Sequence, residues 1–268
     1  MRAITLGPEG TYSHRAARAV ADEIEFTESV TGIVETIASG EFDRGVIPIE
    51  NSIQGSVTES LDALAEYDVA VVREIVTPIR HALLAQGPEF EVVASHAQAL
   101  AQCRTYLESE YPSVEREPVS STARGVEEAR ADQSVAAIAH PETSGDDLQV
   151  IAEEIQDRTT NTTRFVVVAS SEERSTSGGK TSLIVYPNAD RPGLLLELLE
   201  PFAEQDINLS RIESRPSGER LGDYLFHVDI DTGLYEERTQ RALAKIETLA
   251  ESGWVRRLGS YDTEHVLN

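Results

Sequence analysis

Residues 192–216 read PGLLLELLEPFAEQDINLSRIESRP, and this stretch decides the fold of the C-terminal third of the chain. A proline in the first helical turn and leucines on more than one face are typical of a helix that packs on a sheet. Working outward, the patterns predict strands at 181–186, 207–214, 222–231 and 254–262 and helices at 192–205 and 234–250. The order βαββαβ is that of a ferredoxin-like unit.

The first 170 residues also alternate between strand and helix patterns, which favours α/β lobes with largely parallel sheets. Capping-box spacing at Ser56–Glu59 predicts that a helix begins there and runs through Glu66. The other predicted elements are strands at Arg2–Leu6, Arg44–Ile49, Val69–Val76, Glu91–Ser95, Val135–Ala139 and Arg164–Ala169 and helices from Ser13, over Ala97–Ser109 and over Thr122–Ala131.

A polar segment, SSEERSTSGG at 170–179, separates these two patterns and is typical of a linker. We therefore predict an α/β region at 1–170, a linker at 171–179 and a small domain at 180–268.

The composition excludes several classes of protein. Of 268 residues, 40% are apolar, enough for a proper core, and the one cysteine, Cys103, excludes an internal disulfide and favours a reducing, cytoplasmic location. No apolar run approaches the roughly 18 residues of a membrane span, and the start MRAITLGPEG predicts a strand instead of a signal peptide. No basic stripe indicates a nucleic-acid partner.

The charge balance is unusual, because 23 basic residues face 47 acidic ones for a net charge of −24. Lys180 and Lys245 are the only lysines, and the acids are spread along the chain. This composition indicates adaptation to molar salt, where a Debye length of about 3 Å screens the repulsion of an anionic substrate. Local arginines then decide binding.

The stretch that carries chemistry is Asp157–Phe165, DRTTNTTRF. Its hydroxyls and guanidinium groups can hold a carboxylate and give a proton to a leaving oxygen, whereas a threonine cannot act as a strong base. The same hydroxyls can equally satisfy their own backbone, and that alternative stays open.

Two further segments follow predicted strands, where α/β sheets collect ligands. GPEGTYSHRAA at 7–17 offers Thr11 and Ser13 beside a helix start, and VIPIENS at 46–52 offers Asn51 and Ser52. Either set can instead form a turn or a helix cap.

The histidines and the cysteine suggest no metal site. His14, His81 and His96 show no metal-ligand spacing, so surface or capping roles are expected, and Cys103 is expected to be a buried apolar residue. No Walker loop, dinucleotide fingerprint or zinc pattern is present, and we expect no metal or organic cofactor.

Five segments, taken together and in order, resemble the prephenate dehydratase family over nearly the whole chain. They are GPEGTYSHRAA (7–17), VIPIENSIQGSV (46–57), SHAQALAQC (95–103), NTTRF (161–165) and PGLLLELLEPFAEQDINLSRIESRP (192–216). The resemblance implies two α/β lobes similar to type II periplasmic binding proteins, with a cleft between them, and a ferredoxin-like ACT domain behind them. With the acidic composition, we expect a halophilic archaeal source.

The resemblance also implies the reaction, in which prephenate loses CO2 and water to give phenylpyruvate, and it places the essential threonine at Thr163. We expect Arg164 to face an anchoring carboxylate or to order its loop, because an ion pair on the departing carboxylate would stabilise the ground state. Substrate contacts are expected from Thr11, Ser13, Asn51, Ser52, Asn161, Arg164 and Phe165.

For regulation, the resemblance implies feedback by phenylalanine and a homodimer or homotetramer. The expected effector contacts are Arg191, Pro192, Gly193, Leu194, Leu195, Asn208, Leu209, Glu213, Ser214, Arg215 and Pro216. Two positions depart from the family pattern: Ala82 replaces a frequent cysteine, and Leu194 replaces an alanine in the regulatory loop, which can narrow the effector pocket.

Three alternatives remain open. An arogenate dehydratase would perform the same chemistry on an amino-bearing substrate. A non-catalytic sensor would join a binding cleft to an ACT module, although the intact sequence Thr163-Arg164-Phe165 argues against it. A generic amino-acid-binding regulator would account for the ACT unit but not for the first 170 residues.

Overall fold

The first lobe is built from alternating strands and helices, and the computed structural model describes residues 1–175, 177–250 and 253–266 of the chain. In chain order the elements of this lobe are β1 (Arg2–Leu6), α1 (Tyr12–Arg18), β2 (Glu23–Thr27), α2 (Val30–Ala38), β3 (Arg44–Asn51), β4 (Gly55–Ser56), α3 (Thr58–Glu66) and β5 (Val69–Pro78).

The chain then crosses to a second lobe and returns. That lobe contains β6 (Ala82–Ala85), β7 (Val92–His96), α4 (Ala97–Gln102), α5 (Arg104–Glu110), β8 (Glu115–Val119), α6 (Thr122–Ala131), β9 (Val135–Ala139) and β10 (Gln149–Ala152). Its sheet has the order β10-β6-β9-β7-β8. β11 (Thr162–Ser170) brings the chain back and lies antiparallel between β3 and β5 of the first lobe. The expected two-lobed architecture is confirmed. The prediction of largely parallel sheets was wrong, because β11 is antiparallel to its neighbours in the first sheet and β6 is antiparallel to β9 and β10 in the second.

The C-terminal unit has the predicted order of elements. They are β12 (Lys180–Tyr186), α7 (Leu194–Glu204), β13 (Leu209–Pro216), β14 (Tyr224–Ile230), α8 (Glu237–Leu249) and β15 (Trp254–Tyr261). The sheet order β13-β14-β12-β15, with antiparallel pairs throughout, is that of a ferredoxin-like fold.

A last strand, β16 (Thr263–His265), leaves this unit and pairs in parallel with β5. The first lobe's sheet therefore has the order β16-β5-β11-β3-β1-β2, with β4 beside β3. The predicted small domain at 180–268 thus includes a strand that lies in the other sheet. Within the predicted linker and small domain, residues 176, 251, 252, 267 and 268 lie outside the described residues.

The C-terminal sheet is buried on both faces, because successive side chains of a strand point to opposite sides. Leu183 and Val185 of β12 pack with α7 and α8, whereas Ile184 and Tyr186 share a core with Leu61 and other residues of the first lobe. The buried clusters of the second lobe consist of its own residues. The C-terminal unit is therefore docked firmly on the first lobe, beneath β11.

Two predicted helix boundaries were wrong. Ser56 does not cap α3: the cap position is Val57, and the Ser56 hydroxyl donates instead to Glu213 Oε2 at 3.0 Å. Glu59 is engaged too, since it accepts from the Thr31 amide at 3.1 Å. The helix predicted over Ala97–Ser109 is two helices, because the backbone leaves helical geometry at Cys103.

Candidate active site

A cavity of about 410 Å³ lies between the two lobes, where β1 and β3 end and β11 begins. Six residues predicted from the sequence line it: Thr11, Ser13, Asn51, Asn161, Thr163 and Phe165. The sequence did not reveal that Tyr12, His81, His96, Gln98, Gln102, Ser120, Ser121 and Thr122 line it as well. Most of these residues come from the second lobe, and the fold is needed to bring them opposite β11.

Asn51 organises the predicted catalytic stretch. Its Nδ2 donates to Asn161 Oδ1 at 2.9 Å and to Thr163 Oγ1 at 3.0 Å, while its Oδ1 accepts from the amide of Ile53 at 3.0 Å. Asn51 and Thr163 are also register partners between β3 and β11. The Thr163 hydroxyl oxygen therefore accepts a bond, which leaves its hydrogen available as a donor.

The chain of hydrogen bonds continues into the second lobe. Asn161 Nδ2 donates to Gln102 Oε1 at 3.0 Å, and His81 Nε2 lies 2.9 Å from the same oxygen. His81 is only 2% exposed, so the predicted surface or capping role is wrong for this residue. Burial lowers the pKa of His81, which favours the neutral ring. Because the Gln102 oxygen can only accept, Nε2 carries the hydrogen and donates to it. Asn51, Asn161, Gln102 and His81 thus form one polar network behind Thr163.

The remaining histidines and the cysteine behave largely as expected. His96 caps α4 by accepting from the Gln98 amide at 3.3 Å, and His14 Nδ1 accepts from the Gly10 amide at 3.0 Å. Cys103 is fully buried. Thr11 caps α1 through its hydroxyl, which accepts from the His14 amide at 3.2 Å. Ser13 also lines the cavity. This segment therefore both caps α1 and forms part of the cleft wall.

Two predicted substrate contacts, Arg164 and Ser52, are absent from the lining of this cavity. Arg164 follows Thr163 in a strand and therefore points to the opposite face, where it contacts Glu74 and Asp229. The carboxylates that Arg164 faces belong to the protein, so its expected substrate contact is revised. The Ser52 hydroxyl donates to the Thr160 carbonyl at 3.0 Å and accepts from the Thr162 amide at 3.0 Å. Ser52 therefore stabilises the loop before β11.

The positive charge at this site comes from a neighbouring cavity. The residues that line the 410 Å³ cavity include no lysine or arginine. A second cavity of about 440 Å³ shares Gln54, Gln98, Gln102 and Asn161 with it and adds the exposed Arg158. Within the described ranges, no ion pair engages Arg158, and the four shared residues place the two cavities side by side.

The expected effector residues form two groups, and each contributes a leucine, Leu194 or Leu209, to the apolar cluster of the C-terminal unit. One group, at 191–195, opens α7, and there Arg191 pairs with Glu197. The other lies on and just before β13: Asn208 donates to Asp231 at 2.6 Å, and Arg215 pairs with Asp62 of the first lobe at 2.9 Å.

Comparisons with known proteins match both parts of the chain. The family model described as "Prephenate dehydratase" matches residues 3–173, which contain the cleft and β11. The chain belongs to the prephenate dehydratase family. The model described as "ACT domain" matches residues 182–248, so the ferredoxin-like unit is an ACT domain. As a member of the prephenate dehydratase family, the chain is a carbon–oxygen lyase.

Individual relatives agree with this family. A bifunctional chorismate mutase/prephenate dehydratase of Aquifex aeolicus is 38% identical over 96% of this chain and 72% of its own length. The prephenate dehydratase of Methanocaldococcus jannaschii is 33% identical over 95% of both chains. The crystal structure of prephenate dehydratase from Arthrobacter aurescens in complex with L-Phe superposes with a TM-score of 0.89 at 34% identity, covering 98% of this chain and 90% of that one. No helix among the described residues is long and apolar enough to cross a membrane.

Proposed function

We propose that this prephenate dehydratase uses the cleft to turn prephenate into phenylpyruvate, with Thr163 giving the proton to the departing hydroxyl. The observation that carries the proposal is the hydrogen bond from Asn51 Nδ2 to Thr163 Oγ1 at 3.0 Å. Because the oxygen accepts there, the hydroxyl hydrogen is directed elsewhere, toward an oxygen bound in the cavity.

The chemistry needs orientation more than a strong acid. As the ring carboxylate leaves as CO2, its bonding electrons enter the ring, the bond from the ring to the 4-hydroxyl breaks, and one proton turns that hydroxyl into water. Aromatisation supplies the driving force. A hydroxyl held by a neutral amide network can pass on that proton and take one from solvent water in the cleft, without an ionised group beside the departing carboxylate. Asn51 and Thr163 meet this requirement, and Asn161, Gln102 and neutral His81 support them.

We assign the anchoring of the substrate's pyruvyl carboxylate to Arg158. A dianion needs a cation in a protein of net charge −24, and Arg158 is the arginine that lines the adjacent cavities. It lies in the same loop as Asn161 but outside the lining of the cavity that contains Thr163. This separation lets the cation hold one end of the substrate without stabilising the carboxylate that must leave.

For regulation, we propose that L-phenylalanine binds the ACT domain at the two groups described above and inhibits. The Arthrobacter relative was crystallised with L-Phe, and Leu194 and Leu209, one from each group, both belong to or pack against the apolar cluster of this domain. Exposed Leu195, Leu196 and Ile212 of this domain support a homodimer or homotetramer. Cytoplasmic location and a halophilic archaeal source rest on the single cysteine and the acidic composition. The catalytic region is proposed at 1–170, the linker at 171–179 and the ACT domain from 180.

The test is turnover of prephenate by the purified protein in about 3 M KCl, where surface charges are screened. We expect Thr163→Ala to lower kcat by about 10²- to 10⁴-fold with a modest change in KM, since general-acid assistance is lost. Arg158→Gln should show the opposite signature, a KM raised by about tenfold or more with little change in kcat.

An unchanged kcat in Thr163→Ala would refute the proton-donor role, and an unchanged KM in Arg158→Gln would refute the anchor. Arg116→Gln, a substitution on the outer edge of the second lobe, is the control and should match the wild type. A parallel assay with arogenate identifies the preferred substrate.

A further inference from the structure

A buried ionic cluster lies directly behind the catalytic strand, on the face of β11 opposite Thr163. Its charged members are Arg164, Arg211, Lys180, Glu74, Asp229 and Glu50. Glu74 and Asp229 have side chains only 2% and 3% exposed. Three cations thus face three carboxylates, which is the balance that burial of charge requires.

The ACT domain supplies half of this cluster. Arg164 Nη2 lies 2.7 Å from Asp229 Oδ2 of β14, and Lys180 Nζ of β12 lies 3.0 Å from Glu74 Oε1. Ser182 Oγ donates to Asp229 Oδ1, and Tyr261 OH lies 3.3 Å from Arg164 Nη2. Burial would raise the pKa of Asp229, but attraction from Arg164 and Arg211 lowers it overall, so the carboxylate stays ionised.

The backbone beside Thr163 pairs regularly with β5 but irregularly with β3. The pairing of β11 with β3 shifts register between Arg164 and Phe165, where Phe165 stands opposite Pro48. Proline has no N–H to donate, so the ladder is interrupted on that side. Bulges of this kind re-aim nearby side chains, and the aim of Thr163 then depends on what holds Arg164.

We propose that Asp229 of the ACT domain is a positioning residue for the dehydratase reaction, holding Arg164 so that β11 presents Thr163 to the substrate. The regulatory domain therefore contributes to the active site through a contact on the opposite face of β11. This inference rests on the proposed role of Thr163, and it adds a residue that touches neither substrate nor effector.

The experiment is a double-mutant cycle of Asp229→Asn with Thr163→Ala on the full-length protein in molar KCl, with kcat, KM and thermal melting recorded for each. Asp229→Asn keeps the shape of the side chain and removes its charge. We expect it to lower kcat about tenfold with KM within about threefold, a coupling typical of residues in one network. Because both changes act through Thr163, the double variant should be no slower than Thr163→Ala alone.

Asp62→Asn is the matched control. It removes another ion pair between the first lobe and the ACT domain, that of Asp62 with Arg215, which is more exposed and does not touch β11. It should leave kcat unchanged. If Asp229→Asn does not fold, Ser182→Ala removes one hydrogen bond from Asp229 and should lower kcat about threefold, again without effect on top of Thr163→Ala.

The outcomes separate this inference from the proposed function. A wild-type kcat in Asp229→Asn, or in Ser182→Ala where that variant stands in, overturns the positioning role. The positioning role is also overturned if kcat of the double variant falls by the full product of the two single effects, because Asp229 then acts independently of Thr163 through general stability. If Thr163→Ala itself is active, the proposed function fails first.

Discussion

Thr163 and Arg164 are neighbours in sequence but serve different sides of β11. The pleat of the strand sends Thr163 into the cleft with Asn51 and sends Arg164 into the ionic cluster with Glu74 and Asp229. A single threonine–arginine pair on one strand therefore connects the active site to the domain interface.

His227 gives the protein a measurable pH response. Burial, and then Arg211, lower its pKa from 6.5 to about 4, so the folded state excludes a proton that the unfolded chain binds. The contribution of His227 to stability therefore falls as the pH drops from about 6.5 to about 4 and changes no further below that window. Arg215, Asp62 and Asp229 are the other charged groups that influence His227.

We expect the unfolding free energy of the wild type to fall by about 3 kcal/mol more than that of His227→Gln between pH 7 and 4, since one pKa unit corresponds to about 1.4 kcal/mol. Urea unfolding at constant KCl measures this difference. Parallel pH dependences of the two proteins would contradict the prediction.

At the site, the sequence revealed the residues that come in short motifs and missed those that depend on folding. Thr163, Asn51 and Asn161 stand in recognisable stretches and do meet in the cleft. Gln102 is the last residue of an ordinary helix, α4. Its contacts with Asn161 and His81 exist only because the second lobe faces β11. Of the two roles expected for Arg164, the substrate contact was misplaced and the ordering of its loop stays a prediction, because the alternation of a strand shows that two side chains diverge but not what each one contacts.

Among the elements, α6 lies unusually close to β7, and Gly125 makes this possible. A Cβ at Gly125 would lie 2.5 Å from the carbonyl oxygen of Ala94, a backbone atom that cannot turn aside. Gly125→Ala should therefore destabilise the second lobe by about 1–3 kcal/mol, despite the roughly 1 kcal/mol by which alanine favours a helix.

Gly87→Ala is the control, because nothing lies within 4 Å of its Cβ position. We expect it to shift the unfolding free energy by less than about 0.5 kcal/mol. Urea midpoints of the two variants decide the question, and equal midpoints would show that α6 can move away from β7 at little cost.

The strands and helices that the sequence predicted lie within about three residues of observed ones, except for the helix that breaks at Cys103, since their apolar periodicity is strong. The elements β2, α2, β4, β6, β8, β10 and β16 were not predicted. The prediction failed where tertiary contacts replaced a local rule. Ser56 has the spacing of a cap, yet Glu213 takes its hydroxyl, and no local pattern encodes a partner so distant in the chain. The direction of β11 was also hidden, because an apolar run reads the same for parallel and antiparallel strands.

For the whole molecule, the net charge of −24 makes stability depend on salt. Self-repulsion opposes the compact state, and the Debye length shrinks from about 10 Å at 0.1 M to about 3 Å at 1 M. We expect the melting temperature to rise steadily as KCl increases over that range and beyond. Sucrose of equal osmolality is the control and should have a smaller effect; a melting temperature that is flat or falls with KCl would contradict the prediction.

The docking of the whole ACT sheet on the first lobe was the largest feature that the sequence did not predict. Ile184 and Tyr186 read as ordinary strand residues, and only the assembled fold shows that they complete the core of Leu61 and its neighbours. A strand buried on both faces has the same composition whether helices or another domain cover it.

The pairing of β16 with β5 sets an order of events during synthesis. The ribosome releases β5 early, and its outer edge must wait for residues 263–265, which emerge only after the entire βαββαβ unit. Until then the nascent lobe presents an open strand edge, a template for mispairing with other chains. The protein is thus most exposed to aggregation while it is still being made, and faster or slower translation of its C-terminal third should change its yield more than its final stability.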